Sequence, residues 1–391
     1  MHANSLESLL IVTIAAFLVP VILEKFKLKF IPVVVAEIIV GILIGNSGFN
    51  LVVEDQWLEL LSMLGFIYLM FLSGLEIDFS YFLGDKKEEK KVSFNPLFVA
   101  VLIFVLILVI SFGLSLLLKL AGMIQAPYLM TLIISTVSLG VVVPVLKERK
   151  MLDTDLGQTI LLVTVLADFM TMILLAFYVA MKEEEHGTIL LIFLLFACVF
   201  IVYRLMNRWA DNKFFHVLLK GTTQIGTRAV FLLILFFVVL SESLGVESIL
   251  GAFLAGLIVS LLGPKEEFVE QLDSFGYGFL IPIFFIMIGV EMDLWSLVQT
   301  PRTLVFIPAL LIAMYAAKLI PSLILRKWFS WHDVLSSGIL ISAKLSLVIA
   351  ASAVAMEMDV ITSEVNGAII LVSILTCLIS PVLFAKMKGN Q

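Results

Sequence analysis

Apolar runs of about 18–26 residues follow one another along the chain, with short polar connections between them. A helix rises about 1.5 Å per residue, so each run can cross the roughly 30 Å hydrocarbon core of a bilayer. In lipid the backbone polar groups of a run must be satisfied within the protein, and this restricts the chain to a bundle of membrane helices. Charged residues make up 14% of the chain, against about 25% in ordinary globular domains. The reading is therefore an all-α polytopic membrane protein with segments near 7–24, 30–47, 57–77, 95–118, 126–146, 156–181, 187–205, 226–242, 246–262, 274–291, 303–325, 334–356 and 366–385. The longest polar stretches, Asp78 to Ser93 and Arg204 to Thr227, leave no room for a soluble domain. Cys198 and Cys377 both lie inside apolar runs, so neither a disulfide framework nor redox chemistry is signalled. The start, MHANSLESLL, lacks the basic region of a cleavable signal.

Charge alternates between successive connections. One side collects 20 of the 25 basic residues, among them Lys25, Lys27 and Lys29, Lys86 to Lys91, Arg149 and Lys150, Arg326 and Lys327, and Lys386 and Lys388. The other side has only Lys119, Lys182 and Arg302, and carries acidic groups such as Glu54–Asp55 and Glu183 to Glu185. The positive-inside rule places the basic side in the cytoplasm. The N-terminus is then outside and the C-terminus inside, which needs an odd number of spans and agrees with thirteen.

An internal repeat links the two halves. Segment 3 ends in SGLEID and segment 10 in IGVEMD; segment 2 carries AEIIVGILIG and segment 9 GAFLAGLIVS. The offset is seven spans, and an odd offset inverts one copy relative to the other, as in many secondary transporters. Segments 1–6 and 8–13 form two inverted six-helix repeats, with segment 7 between them. Such proteins place their sites where helices are broken at mid-depth. Segment 5 has Ser135, Thr136, Ser138, Gly140 and Pro144, and its repeat mate, segment 12, has Ser336, Ser337, Gly338, Ser342, Lys344 and Ser346. Both read as breakable, with freed carbonyls and half-helix ends available to a cation. The alternative is that these hydroxyls only bond within their own helices.

Asp168 is the only ionisable residue in LGQTILLVTVLADFMTMILLAFYVAM. It lies about 18 Å from either end of that run, at a depth where a charge costs about 2.5–3.5 kcal/mol on insertion scales. A carboxylate there points to ion or proton transport. Thr164 and Thr171 share its helix face. One carboxylate with hydroxyls is an oxygen-rich half-site for a hard monovalent cation. Lys318, mid-span in segment 11, either pairs with Asp168 or snorkels to the cytoplasmic face. Lys344 either takes that coupling role or neutralises half-helix C-terminal ends in the break of segment 12. Glu37, Glu76 and Glu291 read as helix packing or the lining of a water-filled approach. His2, His186, His216 and His332 are terminal or in loops.

These stretches, together with STVSLGVVVPVLKERKMLDTDLGQTILLVTVLADF and FFIMIGVEMDL, resemble the monovalent cation–proton antiporter-2 family of sodium/proton and potassium/proton exchangers. The resemblance spans most of the chain. It implies an NhaA-like fold of 13 transmembrane helices with crossed, discontinuous helices 5 and 12. It also implies a homodimer, with a dimerisation domain from helices 1–3 and 8–10 (residues 1–93 and 223–300). The core ion-translocation domain would be helices 4–6 and 11–13 (94–184 and 301–391), with linker helix 7 and a cytoplasmic loop at 185–222. Asp168 matches the family's ion-binding aspartate, Thr136 and Ser138 its unwound polar stretch, and Lys318 the core lysine of its electrogenic members. Two departures matter. The Asp-Asp pair of electrogenic sodium exchangers is Ala167–Asp168 here, and the frequent Arg-Gly-Glu of segment 12 is Ser342–Ala343–Lys344.

The expected function is exchange of a monovalent cation for protons by an elevator-type movement in the plasma membrane of a prokaryote. Sodium is favoured, potassium is the alternative, and lithium is a further candidate. No cofactor and no nucleic-acid partner are expected, and a separate cytoplasmic regulatory subunit is compatible with the family. With one titrating carboxylate the cycle reads as electroneutral. The rival is a sodium-coupled organic solute symporter or a cation channel on a related plan, but segments 5, 6, 12 and 13 show no extra charged or amide cluster to hold an organic solute. An enzyme is disfavoured, because only one carboxylate sits at mid-depth and no HExxH pattern occurs.

Overall fold

The computed structural model describes residues 2–27, 31–53, 55–76, 95–152, 154–182, 195, 197–206, 224–243, 248–292, 295 and 301–388. These residues form helices and turns, with no strand among them. In chain order the helices are α1 (His2–Lys25), α2 (Val33–Ile44), α3 (Gln56–Leu75), α4 (Pro96–Leu120), α5 (Pro127–Ser135), α6 (Leu139–Glu148) and α7 (Asp155–Lys182). They continue with α8 (Ala197–Met206), α9 (Ile225–Ser243), α10 (Ser248–Leu261), α11 (Glu266–Phe275), α12 (Ile281–Glu291), α13 (Pro301–Ser322), α14 (Trp331–Leu340), α15 (Ser346–Glu357) and α16 (Ser363–Lys388). Eight helices are long and apolar enough to cross a membrane, and five shorter apolar helices accompany them among the described residues. The basic cluster Lys86 to Lys91, the acidic Glu183 to Glu185, the 207–223 loop, and the repeat ends Asp78 and Asp293 lie outside the described residues.

Local sequence explains the boundaries. Asn95 caps α4, its side chain accepting from the backbone N–H groups of Leu97 and Phe98 at 3.0 and 3.3 Å, and Pro96 fills the first helical position where no N–H is needed. Segment 10 begins well before the expected residue 274. Polar α11 (EEFVEQLDSF) runs through one π-helical turn, Gly276–Leu280, into apolar α12. Hydropathy alone assigns such an amphipathic first half to a loop. Segments 5 and 12 are interrupted: α5 stops at Ser135 and α6 resumes at Leu139, while α14 stops at Leu340 and α15 resumes at Ser346.

The chain divides into two compact units. The first comprises Met1–Leu58, Glu88–Thr171 and Phe285–Gln391; the second comprises Glu59–Lys87 and Met172–Phe284. In the first, α4 packs on α5 and α13, α13 on α14 and α16, and α15 on α16. In the second, α9 packs along α10.

The same glycine crossing is built once in each unit. In the first, a Cβ on Gly41 would lie 2.1 Å from the Ile286 carbonyl oxygen, and one on Gly289 would lie 2.2 Å from that of Ile38. In the second, a Cβ on Gly256 would lie 2.0 Å from the Phe71 carbonyl oxygen, and one on Gly74 would lie 2.1 Å from that of Phe253. Gly41 and Gly256 are equivalent positions of AEIIVGILIG and GAFLAGLIVS; Gly74 and Gly289 are equivalent in SGLE and IGVE. Every partner carbonyl lies three residues before the opposing glycine. The sequence repeat is therefore a repeat of contact geometry, in which small residues let two backbones touch where lipid offers no hydrophobic drive for association.

Gly41→Val and Gly256→Val should each cost about 1–3 kcal/mol by overpacking. Thermal unfolding in detergent should show both midpoints falling. Gly113→Ala, in α4 with open space around the added methyl, should leave the midpoint unchanged or slightly raised.

Candidate functional site

The first unit holds Asp168, the mid-span lysines and the polar residues of segments 5 and 12. Four are buried at the break after α5 and at the lysine positions: Thr136 and Ser138 are almost fully enclosed, and Lys318 and Lys344 are both 0% exposed. A half-helix ending inside the protein leaves its last carbonyls without intrahelical donors. Here three of them, those of Leu132, Ile133 and Ile134, acquire donors. The Leu132 carbonyl accepts the Thr136 N–H at 3.1 Å and the Ser135 hydroxyl at 2.9 Å. The Ile133 carbonyl accepts the Thr136 hydroxyl at 2.9 Å and Lys344 Nζ at 3.3 Å. The Ile134 carbonyl accepts Lys344 Nζ at 2.7 Å and also Lys318 Nζ. Two lysine side chains thus converge on the negative end of one half-helix, which carries roughly half an elementary charge.

The second interruption meets the first through the main chain: the Ser138 N–H donates to the Ala343 carbonyl at 3.0 Å. α14 is closed off locally, with the Ser342 hydroxyl on the Gly338 carbonyl at 2.7 Å. At its other end Ser330 and Asp333 form a capping box, and Lys388 at the end of α16 bonds Asp333. The interruptions are narrower than the polar clusters that signal them. Gly140 and Pro144 lie in α6; Ser336, Ser337 and Gly338 lie in α14, where both serine hydroxyls bond the Asp333 carbonyl. Gly338 serves packing, since a Cβ there would meet Leu319 and Ser322 of α13 within about 3 Å.

Asp168 lies at the middle of α7, 8% exposed, with Thr164 and Thr171 buried on the same helix. The Thr164 hydroxyl donates to the Ile160 carbonyl at 2.9 Å, and that of Thr171 to the Ala167 and Asp168 carbonyls at 2.5 and 3.2 Å. Their donor hydrogens are spent within the helix; their oxygen lone pairs are not. Among the described residues no donor and no cation engages the Asp168 carboxylate. The ion pair with Lys318 entertained from sequence is not formed, because Lys318 is committed to the Ile134 carbonyl. Lys344 bonds half-helix carbonyls, as one of its two readings holds, but those of segment 5 rather than segment 12. Ile133 and Ile134 are the participants that sequence reading missed. They act through backbone oxygens, and the only signal is that a helix opened by Pro127 must end before Ser138. Glu37, in α2, is 3% exposed and likewise has no partner among the described residues. No group of three or more His, Cys, Asp or Glu side chains is placed to hold a metal ion among those residues. What the arrangement offers chemically is a mid-helix carboxylate, Asp168, without a partner among the described residues, in the same unit as two buried lysines held on half-helix carbonyls.

The sequence model of the transmembrane sodium/hydrogen exchangers matches residues 12–385. YjbQ of Bacillus subtilis, assigned as a sodium/proton antiporter, is 52% identical over all of this chain, which spans 64% of that relative's length. A Methanocaldococcus jannaschii protein assigned as sodium/proton antiporter 3 is 30% identical over 94% of this chain and 92% of its own. Among solved structures, the sodium/proton antiporter MjNhaP1 of M. jannaschii at pH 8 superposes with a TM-score of 0.57 at 13% identity, covering 99% of this chain and 98% of that one. The last likeness is one of fold.

The shared Ile134 carbonyl generates a double-substitution test. Lys318→Met and Lys344→Met singly each leave that oxygen one donor and relieve repulsion between the ammonium groups, so each should stay within about 1 kcal/mol of the parent. Together they strip the buried oxygen of both donors, and the pair should lose about 1–3 kcal/mol more than the sum of the singles. Thermal unfolding of the four proteins in detergent reads the difference.

Proposed function

The chain is an integral membrane protein that belongs to the transmembrane sodium/hydrogen exchanger family, and from that premise we propose that it exchanges a monovalent cation for protons through Asp168. The observation that carries the reading is the Asp168 carboxylate: buried at mid-helix, with no partner among the described residues. Sodium is the favoured cation, in line with the assigned activities of the two sodium/proton relatives. The architecture we infer has thirteen crossings, inverted repeats with crossed interrupted helices, an external N-terminus and a cytoplasmic C-terminus in a prokaryotic plasma membrane. The proposed working form is a homodimer, in which helices 1–3 and 8–10 associate and helices 4–6 and 11–13 carry the ion.

The mechanism follows from the cost of moving a bare carboxylate through an apolar barrier. Asp168 moves with its core domain only when a proton or a cation neutralises it. The empty, ionised state stays in place, and exchange becomes obligatory. Cation ligands would be the carboxylate with the Thr164 hydroxyl and the unwound stretch at Thr136 and Ser138. Lys318 and Lys344 stay on the half-helix carbonyls and contribute fixed charge to the moving domain. With a single carboxylate alternating between proton and cation, one proton moves per cation and the cycle is electroneutral.

Two experiments in proteoliposomes test this. Asp168→Asn, which removes the titrating group with little change in shape, should abolish cation-driven proton movement reported by an internal pH dye; retained exchange would refute the assignment. In the parent protein, a potassium–valinomycin potential should leave the rate and end point of sodium/proton exchange unchanged. A shift of the end point with potential would show net charge movement and assign a second proton to the lysines.

A further inference from the structure

The turn between α13 and α14 carries two cations set against aromatic rings. α13 ends in one 3-10 turn, Leu323–Lys327, and Trp328 to Ser330 lead into α14 at Trp331. Arg326 and Lys327 are both exposed. The Arg326 guanidinium carbon lies 5.3 Å from the centre of the Trp331 ring, and its Nη1 donates to the Phe329 carbonyl at 3.0 Å. Lys327 Nζ lies 5.1 Å from the centre of the Trp328 ring. A ring face attracts a cation without neutralising it, so two positive charges are positioned here and keep their full charge.

The local carboxylate is already spent. Asp333 is the one acidic residue between 323 and 340. It accepts the Ser330 hydroxyl at 2.7 Å and pairs with Lys388 from the end of α16. Neither Arg326 nor Lys327 has an ion pair among the described residues. Lys386, two residues before Lys388 on α16, is exposed as well.

An exposed apolar track leads away from the same turn along both helices. Trp331 and Leu335, one turn apart on α14, are 56% and 40% exposed, and Ile320 and Leu323, at the end of α13, are 49% and 44% exposed. Indole rings at the ends of membrane helices sit at the level of the lipid headgroups. The cations are therefore at headgroup level, and the track runs from them toward the acyl chains.

Charge and placement choose the occupant. A free phosphate would use the cations and ignore the track. A zwitterionic phospholipid brings an ammonium that no free carboxylate of the turn receives. An acidic segment of another protein would stay in the aqueous layer and leave the track to lipid. Arg326 spends one N–H on Phe329 and keeps the others, in the fork that suits phosphate oxygens. We propose that this turn is a binding site for an anionic phospholipid, its phosphate held by Arg326 and Lys327 and its acyl chains lying along Trp331, Leu335, Ile320 and Leu323. The site includes neither Asp168 nor the buried lysines, and it does not depend on the exchange reading.

The test is thermal unfolding of the full chain in detergent, titrated with phosphatidylglycerol. Phosphatidylcholine with the same acyl chains is the zwitterionic comparison, and glycerol 1-phosphate is the headgroup without a tail. A ligand of the folded state raises the midpoint in a saturable way, and phosphatidylglycerol alone should do so. Arg326→Gln and Lys327→Gln should each weaken its apparent affinity about fivefold, the worth of one basic residue at an anionic headgroup. Arg326→Gln also removes the bond to Phe329. Lys327→Gln leaves the hydrogen bonds of the turn in place and keeps the test decisive if the first variant fails to fold. Lys25→Gln, at the end of α1, should bind as the parent does. Equal midpoint rises with phosphatidylcholine or with glycerol 1-phosphate overturn the proposal. So does unchanged affinity in Lys327→Gln, or an equal loss in Lys25→Gln, which would reduce the effect to diffuse surface charge. Because binding is read without transport, failure here and failure of the exchange reading are separately visible.

Discussion

A helix that stops inside the protein must find donors for its last carbonyls, and the first unit is arranged around one such end. The Ile133 and Ile134 carbonyls near the end of α5 are enclosed by protein rather than presented to bulk water as they would be at a surface. The protein answers with side chains from two other helical segments: Lys318 from α13 and Lys344 from the interruption between α14 and α15. Full burial of both lysines, the packing of α13 against α5, and the approach of the second interruption to the first all follow from bringing those donors to one oxygen. The interruption is thus a point of strong cohesion, although its backbone is irregular.

Against that fixed knot, Asp168 is the opposite kind of buried charge. The lysines are held by carbonyl oxygens and have no reason to release them. The Asp168 carboxylate has no such tie among the described residues. Under the proposed exchange, that division would separate side chains held on the backbone from the one carboxylate that takes up the ions.

Much of this was legible in the sequence, and what was not has a physical reason. The apolar runs gave the helices, and the small polar residues of segments 5 and 12 marked both interruptions, because breaking a membrane helix needs residues that can re-satisfy freed backbone groups. The paired motifs around Gly41, Gly74, Gly256 and Gly289 marked the repeat, since only glycine permits those crossings. The lysine acceptors were illegible because they are main-chain oxygens, and no residue letter encodes a carbonyl. The start of segment 10 was misplaced for the complementary reason: α11 is amphipathic, and average hydropathy erases a face. The extent of each interruption was overestimated, because serine and glycine also serve inside helices, as Ser336, Ser337 and Gly338 do in α14.

The bond between the Ser138 N–H and the Ala343 carbonyl joins the two interruptions through atoms that every residue other than proline possesses. No ordinary point substitution at either position deletes it. The side chains around it are therefore released from the duty of holding the two halves together and are free to drift toward a different ion preference. A transporter wired in this way can change its cargo by changing letters while the joint that carries the cargo stays the same.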